Sequence, residues 1–151
     1  MSFLEKVDYP DSFAKEYSKK FLQFIFLKTL GVSLLVLSFF ILLSVVTYSK
    51  NDPSFRNAND GEITNLFGIF GSHLADSLHV AIGVTMFTLP LFLLAWSSRV
   101  LFSLTPAYLI KRVILLPLFI AFFSVFLSTN VPPSYWSFEY GLGGIFGDTF
   151  L

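Results

Sequence analysis

The chain has 151 residues, 54% of them hydrophobic and twenty of them phenylalanine, with ten basic and ten acidic side chains. A soluble domain of that composition would expose large apolar patches, and balanced charge offers no footprint for nucleic acid. Cysteine is absent, which excludes a disulfide framework and a thiolate metal site and leaves the redox compartment unread.

Residues 1–28 mix both charges, and Phe13, Tyr17, Phe21, Phe24 and Leu27 recur three or four apart. That spacing predicts a helical stripe. It either lies along the membrane face, with Lys15, Lys19, Lys20 and Lys28 near anionic head groups, or extends the next segment inward.

Thr29–Tyr48 is free of charge and holds thirteen Leu, Ile, Phe and Val residues. Those side chains contribute about −4 to −8 kcal/mol toward membrane insertion. The run is too long for a cleaved signal and no A-x-A-like site follows, so it reads as a retained anchor. At "TYSKNDPSF" the run stops because Lys50 and Asp52 need water and Pro53 prevents the helix from continuing. Asp52-Pro53 also suits an N-cap followed by the first position of a short helical turn.

Residues 49–79 form a loop in two parts. Asn51–Glu62 is turn-rich, with N-D-P and N-D-G. Asn65–His79, "NLFGIFGSHLADSLH", predicts a short amphipathic helix in the membrane interface. Gly68 and Gly71 either permit close approach of a neighbouring helix or simply form a turn. His73, Asp76 and His79 are spaced three apart, but at 100° per residue they fan over about 120° and lack a fourth ligand. A metal or proton-relay role is disfavoured, and Asp76 is expected to face head-group water or a neighbouring subunit.

Two further spans follow, near 80–97 and 113–131. Each has the roughly 18–20 residues needed to cross about 30 Å of hydrocarbon. Pro90 and Pro117 are expected to kink them. Residues 132–151 carry Tyr135 and Trp136, suited to a membrane–water boundary, then Gly141, Gly143, Gly144 and Gly147 leading into an apolar stretch. Lys and Arg counts beside the spans alternate 5, 2, 3, 0. By the positive-inside rule the N-terminus and the 99–112 connection are cytoplasmic, and the 49–79 loop and the C-terminal stretch face outward.

The sequence has no G-x-x-x-x-G-K-[ST], no G-x-S-x-G, no H-E-x-x-H and no paired intramembrane carboxylates. Catalysis by this chain is not expected. The fold expected is an all-α integral membrane domain with three transmembrane helices and an interfacial helix in the 49–79 loop.

"TYSKNDPSF", "NLFGIFGSHLAD", "LLAWSSRVLF" and "GLGGIFGD", in that order and spacing, resemble the N-terminal four-helix membrane region of the FtsK/SpoIIIE family of bacterial DNA translocases. The resemblance covers residues 20–151. It implies an inner-membrane anchor at the division septum, acting in cell division and chromosome segregation through contacts with division proteins. It also implies a homo-oligomer, hexameric in the family. Asp52, Pro53, Ser54, Asn65, Gly68, Gly71 and Asp76 match the family's outer-loop pattern, and Gly143, Gly144 and Gly147 match its glycine run. The family's fourth span, linker and ATPase are missing, so the chain is expected to be either a fragment or a truncated gene product. ATP and Mg are implied only for the missing motor, and no cofactor or direct nucleic-acid contact is expected here. The alternative reading is a small transporter or channel subunit, motivated by the prolines and glycines.

Overall fold

The computed structural model describes residues 11–58, 61–102, 107–134, 136 and 138–151. Tyr135 and the first ten residues of the N-terminal segment lie outside the described residues. The rest is all-helical: α1 (Asp11–Val46), α2 (Gly68–Ile82), a 3₁₀ turn (Gly83–Phe87), α3 (Thr88–Phe102), α4 (Ala107–Ser128) and α5 (Gly144–Thr149).

α1 runs unbroken for 36 residues, about 54 Å at 1.5 Å per residue. Of the two readings of the N-terminal stripe, the helix therefore takes the second. From Asp11 onward the stripe is a direct extension of the first span, with Phe13, Tyr17, Phe21 and Phe24 exposed along it.

α1 and α3 pack antiparallel. The Ser38 hydroxyl donates to the Pro90 carbonyl at 2.7 Å, and Ser97 donates to the Gly31 carbonyl at 2.8 Å. At the far end the Lys28 amine donates to the Leu101 carbonyl, meeting one of the acceptors that a helix C-terminus leaves open. Ile41, Val45, Met86, Leu93 and Trp96 form the buried cluster between these elements. Van der Waals packing carries such an interface, because a hydrogen bond between membrane helices contributes only about 0.6 kcal/mol on average.

The second span is not the single helix expected over 80–97. Helix α2 continues past His79 to Ile82, and the chain then breaks at Gly83, whose φ of 57° and ψ of −137° bar any side chain. Pro90 consequently falls in the first turn of α3 rather than inside a helix. A missing N–H is tolerated there, so Pro90 follows the break and does not cause it. Pro117 does lie inside its helix, α4.

Lys15–Val46 and Gly68–Phe102 are both long and apolar enough to cross a membrane, and Val113–Ser128 is a shorter apolar helix. Ile114, Leu115, Leu118, Phe122 and Phe126 of α4 are exposed. Water would not support that face, whereas hydrocarbon does. The domain is an all-α membrane region.

Candidate functional site

At one end of the bundle, the segment after α1, the start of α2 and the 130–151 segment converge. Asp52, only 2% exposed, organises the first part. Its carboxylate accepts from the Thr64 N–H at 3.0 Å, the Thr64 hydroxyl at 2.8 Å and the Asn65 N–H at 2.8 Å. Those bonds replace the helix N-cap expected of Asp52-Pro53. The donors come from a stretch of loop twelve and thirteen residues away in sequence, which no local capping rule anticipates.

Asn65 continues the network. Its amide donates to the Ser44 carbonyl at 2.8 Å, near the end of α1, and its side-chain oxygen accepts from the Phe67 N–H at 3.1 Å. Gly71 lies directly over it: a Cβ there would fall 2.0 Å from the Asn65 side-chain oxygen. Gly71 thus serves close approach, but to a loop of its own chain. Gly68 is the turn glycine, with φ 60° and open space around it. Pro53 offers its carbonyl to the Ser72 hydroxyl, and the Ser54 hydroxyl accepts from the N–H groups of Arg56 and Asn57. The loop is thereby tied to both helices it connects.

The second part centres on Asp76. Expected to face water or a neighbour, it is buried, because the loop folds back over α2. The Tyr48 phenol donates to it at 2.9 Å, and Arg56 Nε stands 3.6 Å from its other oxygen. Tyr48 lies past the last turn of α1 and outside the spanning segment. Burial, followed by the hydrogen bond to Asp76, raises its pKa above the ordinary phenol value. It therefore stays a donor at neutral pH. Arg56 also reaches Glu139 at 3.5 Å and lies over the Tyr140 ring.

His79 is buried against three rings, with centroid distances of 5.1 Å to Tyr48, 5.6 Å to Trp136 and 4.0 Å to Phe138. His73 instead packs on Phe55. Of the evenly spaced trio, Asp76 and His79 share Tyr48 as a partner, whereas His73 packs apart from them on Phe55.

The third part is the glycine run. Leu142 accepts from the Val84 N–H at 2.8 Å, which seats the run on the break between α2 and α3. Gly144, with φ 67°, sits against Gly83, while Gly143 and Gly147 face Ser124 and Ser128 of α4. A Cβ on Gly143 would lie 2.0 Å from the Ser124 carbonyl oxygen. The Ser124 hydroxyl donates to the Gly143 carbonyl, and Asp148 accepts from both Ser128 and the Gly141 N–H. Small residues four apart on both elements let the backbones touch.

A family model described as the 4TM region of DNA translocase FtsK/SpoIIIE matches residues 25–151. The chain belongs to this family. It is similar to the DNA translocase FtsK of Rickettsia bellii, 44% identical over 55 residues, covering 36% of this chain and 7% of the relative. Against the DNA translocase FtsK of Caulobacter vibrioides, identity is 29% over 115 residues, covering 74% of this chain and 14% of the relative. Against that of Shewanella oneidensis it is 31% over 120 residues, covering 75% and 13%. The chain thus spans about a seventh or less of these relatives. No solved structure matches it.

Within this FtsK/SpoIIIE membrane region, the structure gathers all ten sequence-selected residues at one end of the bundle. Asp52, Pro53, Ser54, Asn65, Gly68 and Gly71 form the loop lock, Asp76 the ionic centre, and Gly143, Gly144 and Gly147 the glycine seat. Sequence reasoning passed over Tyr48, Arg56, Thr64, Gly83 and Asp148, each of which completes one of these contacts. Only Gly83 carried a local signal, a glycine inside an otherwise apolar run.

Proposed function

We propose that this chain is the membrane anchor of an FtsK-type DNA translocase in the bacterial inner membrane at the division septum. Its N-terminus faces the cytoplasm, and the end of the bundle built from residues 47–79 and 130–151 faces outward, where it contacts other division proteins. The match to the 4TM region over residues 25–151 carries this reading. The charge alternation beside the spans supports the orientation. The buried polar locks at Asp52 and Asp76 support a loop end held in one shape, as a contact surface requires. The match covers about a seventh or less of the relatives named DNA translocase, and in this reading the segment acts by placement and contact. The rival reading, a transporter or channel subunit, gains no support from Ser38 and Ser97, whose hydroxyls both serve helix carbonyls.

The test is imaging of the tagged chain in dividing bacteria, combined with pull-down. Enrichment at midcell together with recovery of division proteins is the expected outcome. Uniform membrane distribution with no such recovery would overturn the septal role. A reporter fused after Arg112 should be active only in the cytoplasm, and activity outside it would reverse the topology.

A further inference from the structure

Two cavities at the loop end share Arg56 and Asp76 as a common wall. One, of about 220 Å3, is lined by Lys50, Arg56, Asp76 and Glu139 together with the rings of Tyr48 and Tyr140. The other is an apolar groove of about 550 Å3, where Val80 and Ala81 of α2 face Ile145 and Phe146 of α5. A polar chamber beside an apolar groove at the end of a membrane helix matches the two halves of an amphiphile lying across the Arg56–Asp76 wall between them.

The charges narrow its class. The polar chamber carries two cations and two anions, so its fixed charge cancels and a zwitterion leaves no excess on either side. Arg56 stands 3.6 Å from Asp76 and 3.5 Å from Glu139. Both distances are looser than the 2.7–2.9 Å of a tight charge-assisted bond. A guanidinium has five N–H donors in a fork that matches phosphate, and at 44% exposure Arg56 is accessible to one. Glu139, at 69% exposure, offers a carboxylate to an ammonium. A net anionic head group would place its extra charge beside Asp76 and Glu139.

We propose that these two adjacent cavities hold one phospholipid with a phosphate and a primary ammonium in its head group. The phosphate sits on Arg56 and Lys50, the ammonium on Glu139, and an acyl chain lies along Val80, Ala81, Ile145 and Phe146. The proposal concerns the leaflet at the loop end and does not depend on septal placement.

The test uses the 151-residue chain in detergent, with phosphatidylethanolamine or phosphatidylglycerol added at matched concentration and retention read by native mass spectrometry. One phosphatidylethanolamine should be retained at least about fivefold more than phosphatidylglycerol, a difference of roughly 1 kcal/mol. Arg56→Gln and Ala81→Trp should each remove that preference. Ala81 is exposed and lines the groove but not the chamber, so its variant, with helix content checked by circular dichroism, keeps the test decisive should Arg56→Gln disturb folding. Equal retention of the two lipids would refute the site. So would a folded Ala81→Trp chain with undiminished phosphatidylethanolamine, or a dimer that carries no lipid.

Discussion

Gly83 and Gly144 meet backbone to backbone. A Cβ on Gly83 would lie 2.6 Å from the Gly144 nitrogen, and one on Gly144 would lie 2.5 Å from the Gly83 nitrogen. Neither residue has room for a side chain, and each has a positive φ. The helix break and the glycine run therefore require one another.

Gly83→Ala should consequently be among the most damaging single changes in the chain. Left-handed backbone costs about 1–2 kcal/mol, and the new methyl would sit 2.1 Å from the Leu142 carbonyl oxygen. We expect a total loss of about 3 kcal/mol or more, read by thermal unfolding in detergent. Gly68→Ala is the control: its φ is also positive but nothing lies within 4 Å, so only about 1 kcal/mol is expected. Equal losses would show that the Gly83–Gly144 contact contributes nothing.

Asp52→Asn keeps the shape of the side chain but loses an acceptor oxygen. Three donors then compete for one carbonyl, and the new NH2 opposes an N–H. A buried donor left without its partner costs roughly 1–3 kcal/mol. The variant should unfold at lower temperature and should be cut faster by protease between residues 55 and 62. Unchanged cleavage would mean that Asp52 does not hold the loop.

Tyr48→Phe removes the donor to Asp76 and should cost about 1 kcal/mol near neutral pH. It should also change the alkaline limb of the stability profile. The folded-state pKa of Tyr48 is raised, so its contribution is complete below the unfolded phenol's value of about 10. It is lost as pH climbs from there toward the folded-state value. Unfolding midpoints of the parent should fall over that window, and the variant should lack this component of the fall. Identical alkaline profiles would sink the assignment.

Ser38→Ala and Ser97→Ala should each cost only about 0.6 kcal/mol. The two hydroxyls bond opposite ends of the α1–α3 contact, so their effects should add within about 0.5 kcal/mol. Steric-trap unfolding of the double variant checks this. A loss far above the sum would mean that these bonds, and not packing, hold α1 to α3.

The spans were legible in the sequence because crossing a bilayer depends on summed apolar transfer energy, which composition along the chain reports directly. Most of Thr29–Tyr48 and of the 113–131 segment is helical, although the first helix ends at Val46 and the other runs from Ala107 to Ser128. The loop-end residues were legible as a group through motif order, but their roles were not. Asp52 looks like a helix cap because Asp-Pro often is one, and Asp76 looks solvated because an isolated carboxylate usually is.

What the sequence by itself determined is an all-α membrane region with a polar, glycine-marked end. Only the tertiary structure decided that Asp52 reaches Thr64, that Asp76 lies beneath Tyr48 and Arg56, and that Gly83 faces Gly144. Hydrophobic periodicity and charge act over neighbouring residues and are written in their order. Contacts between residues twelve to sixty-one apart depend on how helices pack, and the residue types alone leave that packing open.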